Sequence, residues 1–196
     1  MPYAMKPLAC DPAAIDGMSE RIIVSHYENN YGGAVKRLNA ITQQLAELDW
    51  ATAPVFVVNG LKREELVASN SMILHELFFE SLGASAASAD LLAQLEQDFG
   101  GMDAWSAQFA AMGRALGGGS GWVLLAWSQR DRKLINTWAS DHTCNLAGAT
   151  PILALDMYEH SYHMDFGAAA AKYVDAFMNN LNLAGASAKL AQLKGL

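Results

Sequence analysis

The glycine run Gly117-Gly118-Gly119-Ser120-Gly121 divides the chain into two parts with different patterns of apolar residues. After this run, three short apolar segments are rich in residues that favour strands. They are Trp122 to Ser128, Lys133 to Ser140 and Ile152 to Leu155. Each is too short for a typical helix and is bounded by turn-forming residues. We therefore predict a small three-stranded antiparallel sheet in the second half of the chain.

Before the glycine run, apolar residues recur at intervals of three and four, which is typical of helices. One such segment extends from Ser19 to about Leu48, and Asn29 to Gly33 interrupt it with poor helix formers. These residues predict a kink or a break. A second helix is predicted from about Lys62 to Leu82. Together the two segments predict a helical hairpin at the N-terminus.

Further helical segments surround the predicted sheet, at about 91–99, 102–116, 167–180 and 185–193. Residues 83–90 are small and weakly patterned, which is typical of a linker. We accordingly predict an N-terminal helical hairpin domain at residues 1–86 and a C-terminal α+β domain at residues 87–196. The fold class is α+β.

Composition and charge exclude several classes of function. The sequence has no apolar run near the roughly 20 residues that span a bilayer, and its N-terminus has no secretory signal pattern. A cytoplasmic protein without a membrane partner is therefore expected. The net charge of −7 disfavours nucleic acid. The same charge repels an anionic substrate unless local positive charge prevails at the site. Cys10 and Cys144 do not form a disulfide framework, so both are expected to be reduced.

Two histidines lie on the apolar faces of the predicted N-terminal helices, namely His26 and His75. In the second half, Asp156 ends an apolar strand and His160 follows four residues later. A single buried histidine is usually a hydrogen-bonded core residue, and a lone pair spaced like Asp156 and His160 is a weak signal. A buried carboxylate nevertheless needs a cationic partner. Three imidazoles and one carboxylate suit iron, manganese or zinc, of which zinc does not change oxidation state.

Four stretches of the sequence resemble the iron/manganese superoxide dismutase family, in the same order and over nearly the whole chain. They are Ser25-His26-Tyr27, Asn70 with His75, Gly119-Ser120-Gly121-Trp122, and the run from Asp156 to Tyr162, which is similar to the family signature D-x-W-E-H-A-Y. The resemblance implies redox dismutation of superoxide to dioxygen and hydrogen peroxide. It also implies one iron or manganese ion per chain, held by His26, His75, Asp156 and His160, with two ligands from each half.

The resemblance implies roles for residues around this ion as well. His142 occupies a position from which family members hydrogen-bond the metal-bound solvent with glutamine or histidine, and its identity favours iron over manganese. An aromatic wall is expected from Trp122, Phe79, Tyr158 and Tyr162. Glu159 resembles the acid that bonds a ligand histidine of the other subunit, which implies a homodimer.

Three positions depart from the family pattern at the substrate gateway. Asn30 and Ala34 stand where a histidine and a tyrosine are common, and His163 replaces a tyrosine. Because alanine cannot donate a proton, either Tyr31, His163 or an added water takes over, or proton delivery is slower. The candidate catalytic residues are therefore His142, Tyr31 and His163.

Two other functions fit the same ligand set. One is a dimeric metal-binding paralogue with little dismutase turnover, serving in sensing or sequestration. The other is a hydrolytic or peroxide-handling metalloenzyme, which we favour least because the sequence shows no separate general base at a suitable spacing.

Overall fold

A computed structural model describes residues 2–195 of the chain. Its N-terminal hairpin is built from helices. Helix α1 (Glu20–Ser25) begins at the N-cap Ser19, whose hydroxyl accepts the amide N–H of Ile22. A π-helical segment (His26–Tyr31) follows directly and leads into α2 (Gly32–Ala46). Of the predicted kink or break at Asn29 to Gly33, the break does not occur, because the backbone widens into a π-helical turn and stays helical.

Close packing explains one of the glycines that suggested a break. A Cβ atom at Gly32 would lie 3.1 Å from the sulfur of Met5, which belongs to the N-terminal segment crossing this helix. The glycine thus makes room for a neighbour. Helix α3 (Val55–Glu80) then returns against α2 and starts earlier than predicted. Its first residues escaped prediction because Val55 and Phe56 point outward, 84% and 75% exposed, and so break the apolar pattern.

Helices α4 (Ala89–Phe99) and α5 (Met102–Ala115) follow a non-helical stretch. The strands are β1 (Trp122–Ser128), β2 (Lys133–Ala139) and β3 (Ala149–Asp156). They form an antiparallel sheet in the order β2-β1-β3, which confirms the predicted α+β class. The central strand β1 is buried along its entire length.

Three helices complete the C-terminal half after the sheet. They are α6 (His163–Phe166), α7 (Ala170–Asn179) and α8 (Ala184–Lys194). No helix in the described part of the chain is both long and apolar enough to cross a membrane. Cys10 and Cys144 form no disulfide in the described part of the chain.

The two halves share one apolar core. Phe78 of α3 stacks on Phe177 of α7 with a distance of 5.7 Å between ring centroids, and both rings are fully buried. At the edge of this core, the carboxylate of Asp165 accepts the amide N–H and the hydroxyl of Ser19 at 2.6 and 2.8 Å. The start of α1 is thereby fixed to the segment that follows β3. This arrangement brings side chains of both halves to one buried junction.

Candidate metal centre

The four predicted metal ligands meet at the junction between the two halves. His26 is the first residue of the π-helical segment, and His75 lies on the buried face of α3. Asp156 ends β3, and a 3₁₀ turn (Glu159–Ser161) carries His160. Asp156 is fully buried, and His26 and His75 are nearly so.

Single ligand atoms of these residues converge on one point. The Nε2 atoms of His26 and His160 each lie 3.1 Å from Asp156 Oδ2, and His75 Nε2 lies 3.6 Å from it. One atom from each of the four residues lies within 4.8 Å of the others. The buried Nε2 atoms of His26 and His75 have no hydrogen-bond partner among the described residues. Because metal–ligand bonds of about 2.0–2.2 Å separate ligand atoms by roughly these distances, one ion fits the cluster.

The environment favours the protonation states that a metal requires. Burial, together with the nearby His26, lowers the pKa of His75 to about 3. The pKa of His26 is also lowered, chiefly by burial. Burial raises the pKa of Asp156, but the hydrogen bond with His160 and the close approach of His26 outweigh this effect and leave the pKa of Asp156 below its usual value. Neutral imidazoles and an ionised carboxylate are the forms that bind metal ions.

These shifts predict that acid destabilises the metal-free protein. Because the pKa of folded His75 is about 3, the unfolded chain binds an extra proton between that value and its ordinary pKa of about 6.5. The free energy of unfolding is expected to fall by up to about 1.4 kcal/mol per pH unit for this group as pH decreases through that window. His26 acts in the same direction. Denaturant titrations from pH 7 to pH 4 measure the slope, and an unchanged slope in His75→Gln would contradict this prediction.

Hydrogen bonds orient the side chains of the candidate ligands His75 and Asp156. The Nδ1–H of His75 donates to the carbonyl of Ser71 at 2.6 Å, which leaves Nε2 as the free lone pair. The Oδ1 of Asp156 accepts the amide N–H of Tyr158 at 2.8 Å, so Oδ2 faces the imidazoles. The hydroxyl of Tyr173 donates to the Asp156 carbonyl at 2.7 Å. Such supporting bonds fix the tautomer and direction of metal ligands.

His142 lies beside the cluster and is held at two points. Its Nδ1 accepts the indole N–H of Trp122 at 3.0 Å, and its carbonyl accepts the side-chain amide of Asn70 at 2.5 Å. Its ring centroid is 6.2 Å from that of His75 and 4.9 Å from that of Tyr158. Because Nδ1 is an acceptor, the neutral ring carries its proton on Nε2. The sequence does not predict the hydrogen bond from Asn70 to His142, because it marks Asn70 only as part of a family motif.

Aromatic rings surround the ligands on several sides. Trp122 lies 5.2 Å from His75, Phe79 lies 5.1 Å from His26, and Tyr158 lies 5.4 Å from His160, measured between ring centroids. Phe78, which was not predicted, lies 4.9 Å from His26. Tyr162 instead stacks on Tyr173 at 5.4 Å. These contacts exclude water from much of the cluster.

The other candidate residues lie farther from the ligand atoms. Tyr31 is buried with its ring centroid 6.4 Å from that of His75. Its hydroxyl donates to Glu76 at 3.1 Å and accepts the Lys6 amide N–H at 2.9 Å, and burial raises its pKa to about 12. His163 is exposed at the start of α6 and is outside the four-residue cluster. Glu159 is also exposed, on the turn that carries His160.

Several known proteins resemble this chain over most of its length. Residues 87–189 match the C-terminal domain of iron/manganese superoxide dismutases. The chain is 65% identical over 192 residues to the iron superoxide dismutase of Cupriavidus metallidurans, covering 97% of this chain and 98% of the relative. It is 32% identical over 180 residues to the iron superoxide dismutase of Aquifex pyrophilus, covering 87% and 83%. It is also 32% identical over 182 residues to manganese superoxide dismutase 2 of Haloferax volcanii, covering 90% and 89%. The chain belongs to the iron/manganese superoxide dismutase family, a family of oxidoreductases that use a bound metal ion.

Proposed function

We propose that His26, His75, Asp156 and His160 hold one iron or manganese ion at which superoxide is converted to dioxygen and hydrogen peroxide. The convergence of four ligand atoms from both halves, with two buried imidazole nitrogens left unpaired, carries this proposal. When bound, the ion supplies the one-electron chemistry by taking an electron from one superoxide and giving one to the next. Iron is the preferred ion, because the relative with 65% identity is an iron enzyme and because His142 stands, by resemblance, at a position that family members fill with glutamine or histidine.

The residues of the chain contribute binding, orientation and a proton donor. Asp156 supplies a negative charge that offsets part of the charge of the metal, and Ser71 directs His75 toward the ion. Phe79 and Trp122 limit the access of water. The Nε2–H of His142 is free to donate to a solvent molecule beside the cluster, because Trp122 occupies Nδ1. The family match supports this reading over a metal-binding paralogue without turnover.

Substitutions of His142 test its role as the solvent donor. His142→Leu is expected to lower kcat per bound metal by about 10- to 100-fold, because it removes the donor and leaves the Trp122 indole N–H unpaired. His142→Gln restores both a donor and an acceptor, so we expect it to stay within about tenfold of the unmodified protein. Superoxide consumption should be measured by stopped-flow on samples of equal metal content. Equal kcat for His142→Leu and the unmodified protein would rule out this role.

The assembly and cellular setting are further parts of the proposal. A homodimer is proposed, with Glu159 at the interface, because this acid is exposed and adjacent to the ligand His160. Sedimentation of the full chain with and without Glu159→Ala tests the proposed homodimer, and a monomer at micromolar concentration would contradict it.

A cytoplasmic location and a domain boundary near residue 86 remain predictions. The predicted domain boundary rests on the non-helical stretch that precedes α4.

A further inference from the structure

Residues 2–9, which we call the N-terminal strap, lie against the N-terminal hairpin without forming a helix or a strand. Near the start of the strap, the side chain of Asn39 in α2 accepts the amide N–H of Tyr3 at 2.7 Å and donates to its carbonyl at 2.9 Å. Further along, Met5 packs against Gly32, which has no side chain to displace it. The strap is thus fastened to the continuous helical run that begins before His26.

Lys6 joins the strap to the segment that carries His26. The carbonyl of Lys6 accepts the hydroxyl of Tyr27 at 2.7 Å, and its amide N–H donates to the hydroxyl of Tyr31 at 2.9 Å. Both tyrosines belong to the π-helical segment, of which His26 is the first residue. Two hydrogen bonds therefore hold one residue of the strap against the segment that supplies a candidate ligand.

Aromatic rings lie between the strap and the candidate ligands. The ring centroid of Tyr31 is 6.4 Å from that of His75, and the centroid of Phe79 is 5.1 Å from that of His26. Tyr27 packs on Phe79 with a centroid distance of 5.5 Å. A cavity of about 270 Å³ beneath the strap is lined by all three of these aromatic rings. One layer of rings therefore separates this cavity from two of the ligand imidazoles.

The charges in this cavity favour a cation once the strap is displaced. Glu76 and Glu80 of α3 line the cavity, and Lys6 faces them at 2.6 and 3.8 Å. Glu80 also pairs with Lys189 of α8, whereas Glu76 has Lys6 as its only cationic partner in the described part of the chain. When the strap leaves, Lys6 leaves with it, and Glu76, whose side chain is only 14% exposed, loses its counter-charge. A partly buried carboxylate without a partner attracts a metal cation.

A second cavity near the centre is a poorer passage for a cation. It has a volume of about 220 Å³ and is lined in part by Ser71 and His142. None of its described lining residues is an acid, and Arg37 adds a positive charge. The field in this cavity therefore opposes the approach of a metal ion.

We propose that the N-terminal strap is a gate for the metal ion, which opens to let an ion enter or leave the centre. The inference rests on the proposed metal centre, though not on its turnover. Asp156 is fully buried, and His26 and His75 are nearly so, which means that no ion reaches them unless part of the chain moves. The strap lies outside the packed helices and is held by a small set of hydrogen bonds, so it can open locally while the core remains folded.

Tyr27→Phe tests the gate without changing any charge. The substitution removes the hydroxyl that holds the Lys6 carbonyl and keeps the ring that packs on Phe79. Loss of this hydrogen bond is expected to make the open strap about fivefold more populated. Tyr3→Phe is the matched control, because Tyr3 belongs to the same strap and its hydroxyl forms no hydrogen bond with any described residue.

Both directions of metal exchange should be measured on the full-length protein with manganese(II). Uptake by the metal-free protein can be followed through the loss of the EPR signal of the free aquo ion, and release from the loaded protein can be followed in excess EDTA. Tyr27→Phe is expected to raise both rate constants about fivefold, whereas Tyr3→Phe should match the unmodified protein. The Kd should stay the same, because a gate that opens more often speeds entry and exit equally.

The two rate constants separate a gate from a merely structural role. Faster release without faster uptake would mean that Tyr27 holds His26 in place, and this result would overturn the inference. Equal rates in Tyr27→Phe and Tyr3→Phe would overturn it as well. If both rates rise as expected while the iron-loaded protein fails to remove superoxide, the proposed function is wrong and the gate stands. A protein that binds no metal at all would contradict both.

Discussion

Asp156→Asn is expected to weaken metal binding more than about 100-fold and to abolish superoxide turnover, while the chain remains folded. Asp156 is the only carboxylate in the four-residue cluster, and it is fully buried. Asparagine has nearly the same shape, and its side-chain oxygen can still accept the amide N–H of Tyr158. The substitution therefore removes the negative charge that the ion needs and disturbs little else.

The Tm of the protein with and without metal provides a second test of this assignment. The neighbours of Asp156 hold its pKa below the usual value and so stabilise the carboxylate in the folded metal-free protein, and Asp156→Asn should therefore lower the Tm of the metal-free protein while leaving one cooperative unfolding transition. Metal should raise the Tm of the unmodified protein and have no effect on the variant. Asp175→Asn, on the surface beside Arg114, is the matched control and should behave as the unmodified protein does. A normal metal content in Asp156→Asn would contradict its assignment as a ligand.

Gly121→Ala is expected to destabilise the protein by at least about 3 kcal/mol. A Cβ atom at this position would lie 2.2 Å from the carbonyl oxygen of Ala139, and the backbone φ of +132° is one that alanine rarely adopts. The same residue accepts the amide N–H of Met157 through its carbonyl at 2.9 Å, directly beside Asp156. The loss of stability should therefore be accompanied by a lower metal content.

Gly60→Ala is the control for this second prediction. Gly60 lies inside α3, and nothing lies within 4 Å of the position its Cβ atom would take. Alanine there should stabilise the protein by about 0.5–1 kcal/mol, because it restricts the unfolded chain and favours the helix. Denaturant unfolding of both metal-free variants measures the difference. If Gly121→Ala were as stable as Gly60→Ala, the close contact between Gly121 and Ala139 of β2 would be contradicted.

The sequence predicts the sheet and the buried imidazoles because these features depend on local pattern. The strands are short apolar runs between turn residues, and their predicted ends nearly match the observed ones except at the start of β3, where Thr150 and Pro151 obscure the pattern. His26 and His75 were predicted to be buried from their apolar neighbours alone, and both are. The periodicity of apolar residues suffices to predict burial where one face of a helix or strand packs against a single core.

Other features depend on contacts between distant residues, which periodicity does not record. The glycine at position 32 looks like a helix breaker until Met5, far away in the sequence, is seen to pack against it. The sequence suggests Tyr31 as a proton donor, but its hydroxyl donates to Glu76 and accepts the Lys6 amide N–H, and these partners come from two other segments. The bond from Asn70 to His142 likewise joins residues of the two halves. Such pairings require the tertiary structure.

Metal content and superoxide turnover, measured together on the purified full-length protein, test the proposed centre most directly. The protein should be produced with iron and manganese both available, and each loaded form should then be assayed by stopped-flow. We predict close to one ion per chain, with iron preferred, and superoxide removal that is proportional to bound metal and far faster than that of the free aquo ion. Stoichiometric metal with turnover no faster than that of the free ion would contradict the proposed function.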